Sequence, residues 1–165
     1  MNYVYIASSI DGYIATSDGG IDWLHETPNP SNSDYGYSEF IKNIDALMMG
    51  RNSFEKVLSF DERPYQEKVF VLTSTLTDIP PRLPGKVEFI SASPKEAVSI
   101  AHSQGFNNLY IDGDMVIQSF LGADLIDELI VTRIPIILGE GIPLFGGLLE
   151  PLKFTHQNTE VYDNA

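Results

Sequence analysis

The fold is decided by residues 122–145, whose sequence is GADLIDELIVTRIPIILGEGIPLF. Within them, residues 128–138 form a long apolar run that predicts a strand interrupted by Pro135. Two shorter strand signals lie near the start of the chain, residues 3–7, which are apolar and β-prone, and residues 13–15, which follow an Asp11-Gly12 turn. Compact apolar runs of about four residues, typical of buried parallel strands, are residues 46–49, 69–72, 87–90 and 109–111. Near the end of the chain, residues 152–162 predict one more strand or hairpin arm.

Helical segments lie between the predicted strands. The clearest is residues 93–102, where Ser93 is the expected N-cap and Pro94 takes the first helical position. Glu96 completes a capping box, and Gly105 ends the helix. The other predicted helices are residues 37–43, 53–58 and 114–121. Strands that alternate with helices predict an α/β fold with a mostly parallel central sheet and helices on both faces.

Length and composition predict a single domain over residues 1–165. The formal net charge of −13 opposes binding to a phosphate backbone or an anionic membrane, so we expect neither nucleic acid nor membrane as a partner. The absence of Cys excludes thiolate zinc sites, and the three His lack metal-ligand spacing, so no metal is expected. No signal peptide and no apolar stretch of membrane-spanning length is recognisable, which predicts a soluble cytoplasmic protein.

Strand-to-helix junctions are the expected ligand sites, because ligands of parallel sheets bind at the carboxyl ends of strands against helix N-termini. The first junction is Gly50-Arg51-Asn52-Ser53. Gly50 allows close approach of an anion, Arg51 supplies a positive charge, and Asn52 with Ser53 supplies hydrogen-bond donors. The alternative interpretation is a plain helix cap with a solvated Arg51.

Two further junctions have the same form. Thr73 and Ser74 follow the strand at residues 69–72, and their hydroxyls could bind an adenosine 2′-phosphate, although such clusters also occur as ordinary turn chemistry. Gly113 precedes the predicted helix at residues 114–121. Asp114 is there a candidate N-cap, and its carboxylate is unfavourable for a phosphate.

Four motifs, taken in chain order, resemble those of the dihydrofolate reductase fold. They are Ile14-Ala15 after Asp11-Gly12, Gly50-Arg51-x-Ser53, Leu72-Thr73-Ser74 and Ile111-x-Gly113. Residues 122–145 resemble more closely the dihydrofolate-reductase-like family that includes the reductase domain of the bifunctional riboflavin-biosynthesis deaminase/reductase. In that family an Asp-Glu-Leu strand, a Pro, Leu-Gly-x-Gly and Pro-Leu-Phe recur. The resemblance covers essentially the whole chain and implies a three-layer α/β fold, a small-molecule substrate and NADPH as cofactor, with NADH possible.

The resemblance also implies where the cofactor binds. Ala7 and Ile14 would border the nicotinamide, and residues 16–22 would form a mobile loop over it. The family usually has a run of glycines in place of Asp112-Gly113-Asp114, and dihydrofolate reductases often have a basic residue in place of Met115. The implied cofactor-binding residues are Ala7, Ile14, Gly50, Arg51, Asn52, Ser53, Thr73, Ser74, Gly113, Asp114 and Val116.

The candidate catalytic residues are Trp23, Asp34 and Glu39. The resemblance implies a carboxylate on the first helix, downstream of a Trp that Trp23 matches. Asp34 is the first candidate for this carboxylate and Glu39 the second, and an apolar cleft would raise the pKa of either for acid catalysis. The alternative is that Asp34 caps the helix and Glu39 faces solvent.

The implied activity is that of a 5-amino-6-(5-phosphoribosylamino)uracil reductase, which opens a ribosyl ring to a ribityl chain. One alternative is a pterin or dihydrofolate-type reductase. Another is a degenerate member that acts as a non-catalytic binding module, which the carboxylates of Asp112 and Asp114 favour.

A homodimer is expected as well. Residues 138–149 are apolar and glycine-rich, and an exposed patch of this kind usually marks an interface. The resemblance implies two-fold dimers formed through the end of the sheet, with residues 128–138 near the contact. Family members continue past a Tyr-Asp-Asn-Gly turn into a last strand, whereas this sequence has Ala165 after Asn164, so a partner copy is expected to cover the open edge. The alternative is a loop packed on its own domain.

Overall fold

The computed structural model describes residues 1–59, 65–79 and 85–165, and the strands and helices of those residues alternate along the chain. The strands are β1 (Asn2–Ser8), β2 (Tyr13–Ala15), β3 (Ala46–Gly50), β4 (Lys68–Leu72), β5 (Val87–Ile90), β6 (Leu109–Asp112), β7 (Glu128–Arg133) and β8 (Ile142–Pro143). The helices are α1 (Asp22–Glu26), α2 (Tyr37–Ile41), α3 (Arg51–Leu58), α4 (Pro94–Ser103) and α5 (Asp114–Gly122).

Six of the strands form one sheet in the order β5-β4-β3-β6-β1-β7, and all of its pairings are parallel. This confirms the predicted α/β fold. The strands β2 and β8 form a small antiparallel sheet, in which Ala15 pairs with Ile142. Because the six strands run in one direction, their C-terminal residues all lie at one end, which we call the carboxyl end of the sheet.

The hydrophobic core has two parts, one on each face of the sheet, because side chains alternate between the faces along a strand. On one face Val4, Met48 and Phe70 pack with apolar side chains of α4 and α5. On the other face Leu47 and Val71 pack with side chains of α2 and α3. The result is the three-layer arrangement expected for this fold class.

The helix α4 has the termini that its sequence predicts. Ser93 accepts a hydrogen bond from the backbone N–H of Glu96, and the Glu96 carboxylate accepts one from the backbone N–H of Ser93 at 2.9 Å. Pro94 occupies the first turn, where a missing N–H costs no helical bond. Gly105 follows the helix with φ +92°, a conformation that favours glycine.

Two predicted strands are wrong in part or in full. The strand β7 ends at Arg133 rather than at residue 138, since Pro135 has no N–H to donate to a neighbouring strand. The predicted strand or arm at residues 152–162 is absent, because the segment is largely exposed and pairs with no strand of the described residues. The short helix α1 was not predicted.

The C-terminal residues are attached to the loop before α2. The hydroxyl of Tyr35 donates to the side-chain oxygen of Asn164 at 3.1 Å, and the rings of Tyr35 and Tyr162 pack edge to face with centroids 5.2 Å apart. Within the part of the chain that the structure describes, no helix has the length and apolar character needed to cross a membrane.

Candidate cofactor and substrate site

The three junctions that the sequence singles out lie side by side. The strands β4, β3 and β6 are neighbours in the sheet, with Gly50 paired to Leu72 and Met49 paired to Asp112. The turn after β4, the start of α3 and the start of α5 therefore meet at the carboxyl end of the sheet. The family resemblance implied this convergence, but local residue patterns alone do not give it, because the strand order joins segments that are far apart in the chain.

The starts of α3 and α5 approach each other closely at two glycines. A Cβ atom at Gly113, whose φ is +92°, would lie 2.5 Å from the Ser53 hydroxyl, and a Cβ atom at Gly50 would lie 3.1 Å from a Val116 methyl. Glycine at both positions lets the two helix N-termini lie side by side, and we call the surface between them the cradle. Free backbone N–H groups at such termini bind phosphate oxygens, so the cradle fits a pyrophosphate.

Arg51 connects the first junction to the second. Its Nη1 atom donates to the Thr75 hydroxyl at 2.9 Å, and its Nε atom donates to Glu55 at 2.8 Å across one turn of α3. Thr73 accepts two backbone N–H bonds from its own turn, which is the turn chemistry foreseen as the alternative, and Ser74 is exposed beside it. The guanidinium and these hydroxyls together form a polar surface that fits a terminal phosphate.

The start of α5 differs from the prediction at one residue. Gly113 is the N-cap, so the expectation that Asp114 caps the helix is wrong: Asp114 is the first helical residue and makes no capping bond. Its carboxylate lies in the first turn, where the helix dipole stabilises negative charge. Val116 is buried, whereas Asn52 in the first turn of α3 is exposed.

A carboxyl group that the prediction did not assign to the site is found beside the cradle. Asp112 is the last residue of β6, and burial raises the pKa of its side chain, while the Gly113 N–H and the Tyr65 hydroxyl partly oppose the increase. The Tyr65 hydroxyl donates to Oδ2 of Asp112 over 3.4 Å. The sequence does contain a signal for Asp112, namely a carboxylate directly after a buried run and before a glycine, but it contains none for Tyr65.

The two carboxylates proposed for catalysis lie in different surroundings from those expected. Asp34 is exposed and accepts hydrogen bonds from the backbone N–H groups of Gly36 and Ser38, which together with the Ser38 side chain lower its pKa. The expectation of a raised pKa at Asp34 is therefore wrong. The N-cap of α2 is Gly36 rather than Asp34, although the Asp34 carboxylate accepts from the Ser38 N–H in the first turn. Glu39 is exposed and forms an ion pair with Lys42 at 2.7 Å.

Trp23 is buried, with 5 % of its surface exposed, and its indole N–H has no hydrogen-bond acceptor among the described residues. A buried donor without an acceptor costs free energy, so this N–H fits a site completed by a bound molecule or water. Ala7 and Ile14 are half-buried in β1 and β2. The loop at residues 16–22 is attached to α3, because Lys56 donates to the Gly19 carbonyl at 2.7 Å.

The parallel sheet and its two helical layers define the class of this protein, the dihydrofolate-reductase-like fold. The chain belongs to the RibD C-terminal domain family, whose model matches residues 3–165. The protein YwjB of Bacillus subtilis (strain 168) is 36% identical over 166 residues, which cover 98% of this chain and 92% of YwjB. The protein YyaP of the same strain is 25% identical, covering 97% of this chain and 88% of YyaP.

Solved structures have the same fold. A protein from Shewanella sp. PV-4 assigned to riboflavin biosynthesis is 47% identical, with a TM-score of 0.90 over 97% of this chain and 91% of its own. The deaminase/reductase of Thermotoga maritima is 22% identical with a TM-score of 0.75, and the match covers 99% of this chain and 54% of that one. The last comparison supports the fold alone.

Proposed function

We propose that this protein is an NADPH-dependent reductase that transfers a hydride to a small heterocycle-linked substrate such as 5-amino-6-(5-phosphoribosylamino)uracil. The observation that supports this proposal is the convergence of three strand-to-helix junctions around the cradle at Gly50 and Gly113. In a dihydrofolate-reductase-like family member, a site of this shape beside a buried carboxyl group suits a dinucleotide next to a polar heterocycle.

Each part of the site has a role in binding. The N-termini of α3 and α5 hold the pyrophosphate, and Arg51 with Thr73 and Ser74 holds the 2′-phosphate. Ala7 and Ile14 border the nicotinamide, which supplies the hydride when it is bound. Trp23 forms one wall of the substrate pocket, with its indole N–H available to a polar atom.

Reduction of a ring-opened sugar imine requires one hydride at carbon and one proton at nitrogen. Asp112 is the residue that holds this proton, because its buried carboxyl group has a raised pKa and lies next to the cradle. Asp34 and Glu39 are exposed, and Asp34 has a lowered pKa, so neither is suited to that role.

A second candidate function is that of a binding module without catalysis. Two observations favour it: Asp114 places a negative charge at the start of α5, and Glu55 already pairs with Arg51. Both weaken the site for an anionic cofactor. A pterin-type reductase is the alternative within the enzyme class.

Titration of the protein with NADPH and with NADH, followed by the fluorescence of Trp23, separates these functions. Trp23 is the single Trp of the chain, so the signal reports on one position. Saturable quenching by NADPH, followed by oxidation of the bound cofactor on addition of the uracil substrate, supports the reductase. Binding of neither cofactor at millimolar concentration would contradict it and support the binding module. Turnover of a pterin but not of the uracil would correct the substrate.

A further inference from the structure

The carboxyl end of β6 is surrounded by phenol groups on one face of the sheet. Tyr65, Tyr37 and Tyr110 are close enough to Asp112 for its charge to raise the pKa of each phenol further, in addition to the larger effect of burial. The pKa of Tyr37 rises to about 12. These phenols therefore remain protonated at neutral pH and are available as hydrogen-bond donors.

The phenols do not all donate to the same acceptor. The hydroxyl of Tyr110 donates to the backbone carbonyl of Tyr5 at 2.9 Å, which satisfies it within the sheet. The hydroxyl of Tyr5 donates to the carbonyl of Tyr35 at 2.7 Å. Only Tyr65, among the described residues, places its hydroxyl within 3.4 Å of an Asp112 oxygen.

The charged groups around this pair come from several elements. Asp112 lies on β6, Tyr65 lies before β4, and Tyr37 lies on α2. Glu67, also before β4, acts on both Tyr37 and Tyr65 through its charge. Among the described residues no cation affects the pKa of Asp112, and the hydrogen bonds from Gly113 and Tyr65 stabilise its ionised carboxylate against the cost of burial.

We propose that Tyr65 is a positioning residue, whose hydroxyl holds Oδ2 of Asp112 and so sets both the orientation and the protonation of the carboxyl group that faces the substrate. The substrate part of this inference rests on the proposed reductase function. The Tyr65 hydroxyl donates to the ionised carboxylate of Asp112 and so lowers its pKa. Without that hydrogen bond, the effect of burial is opposed less, and the pKa of Asp112 rises further.

The test is Tyr65→Phe, which removes the hydroxyl and keeps the ring. Carboxyl ¹³C NMR follows the titration of Asp112 in the free protein, and Asp112→Asn assigns the signal. We expect the titration midpoint to rise by about 0.5 unit, as expected for the loss of one long hydrogen bond. Because Asp112 must be protonated to act as the donor, the high-pH limb of the kcat/KM profile for the reductase should move to higher pH by the same amount. Tyr3→Phe is the matched control. Tyr3 lies on the same face of the sheet but at the amino end of β1, and its hydroxyl contacts Met1 rather than Asp112.

The outcomes separate the two proposals. Equal Asp112 midpoints in wild type and Tyr65→Phe would overturn the positioning role. An equal shift in Tyr3→Phe would also overturn it, because the effect would then not be specific to Tyr65. A shift confined to Tyr65→Phe in a protein that reduces none of the substrates supports the contact with Asp112 and overturns the reductase function instead.

Discussion

In the proposed reductase, Arg51 is the residue with the most direct link to cofactor choice. It follows Gly50 at the carboxyl end of β3 and already binds a threonine hydroxyl of the neighbouring turn. We expect Arg51→Ala to weaken NADPH by about 1.5–3 kcal/mol, nearer the lower value because the side chain is half exposed and screened, and to affect NADH little. Fluorescence titration with both cofactors measures this.

The matched control for Arg51→Ala is Lys42→Ala, which removes the same charge from the end of α2, where Lys42 pairs with Glu39. Its cofactor affinities should equal those of the wild type. Unchanged NADPH affinity in Arg51→Ala, or equal losses for NADPH and NADH, would contradict a contact between Arg51 and the 2′-phosphate.

Asp112 gives the stability of the protein a definite pH dependence. Burial raises its pKa in the folded state above the ordinary value of 3.8, so the folded protein binds the proton more tightly than the unfolded chain. Its contribution to stability is full below the unfolded pKa and is lost as the pH rises through the folded pKa. In urea unfolding at a series of pH values, Asp112→Asn should remove this loss and gain stability relative to wild type as the pH increases.

Asp34 provides the control of opposite sign. Hydrogen bonds lower its folded pKa, so its stabilising effect is present above the unfolded pKa and is lost as the pH falls through the folded pKa. Asp34→Asn should therefore be less stable than wild type at pH values above the unfolded-state pKa of Asp34. The same pH trend in both variants would show that burial does not dominate at Asp112.

At the scale of the secondary-structure elements, the start of α5 balances two effects. Asp114 favours the helix through its dipole, but it opposes an anion bound at the same terminus. Because Gly113 is the N-cap, Asp114→Gly removes no capping bond and should tighten NADPH by about 1 kcal/mol, the cost of one close like charge at partial exposure. Titration with NADPH measures the change.

Asp124→Asn is the control for that variant, because Asp124 follows the other end of α5 and its φ of +53° is one that Asn tolerates. It should leave NADPH affinity unchanged. No gain in Asp114→Gly would mean that the dinucleotide does not pass this helix or that the carboxylate points away from it.

At the scale of the whole molecule, we propose a homodimer. Leu144 is buried in the core, but Phe145, Leu148 and Leu149 are exposed next to it. The segment 150–161 is also largely exposed and pairs with no strand of the described residues. Such a surface suits a second copy of the chain, which would cover the apolar side chains and supply partners for unpaired backbone groups.

Light scattering at micromolar concentration tests the dimer. We expect a mass of about twice 18.3 kDa, and a monomer for Leu149→Asp. Added salt should favour association, because each copy has a formal charge of −13. Ile79→Asp, which changes an exposed apolar side chain outside residues 138–149, should remain dimeric. A wild-type mass near that of one chain would rule the dimer out.

The sequence by itself determined the class of fold and most of its elements. Runs such as 46–49 and 109–111 have the length and apolar character of buried strands, and the α4 capping box depends on neighbouring residues only. It also determined the junctions, because the glycine, arginine and hydroxyl residues there are local signals. Where a strand needed a partner, as at residues 152–162, local pattern alone gave a wrong prediction.

Only the tertiary structure decided how these pieces lie relative to one another. The order β4-β3-β6 brings together Arg51, Thr75 and Gly113, which are distant in the chain. Burial at the end of β6 distinguishes Asp112 from the exposed Asp34, although both are aspartates near a glycine. The pKa of a carboxyl group depends on the solvent and donors around it, and those are set by strand order and packing rather than by neighbours in sequence.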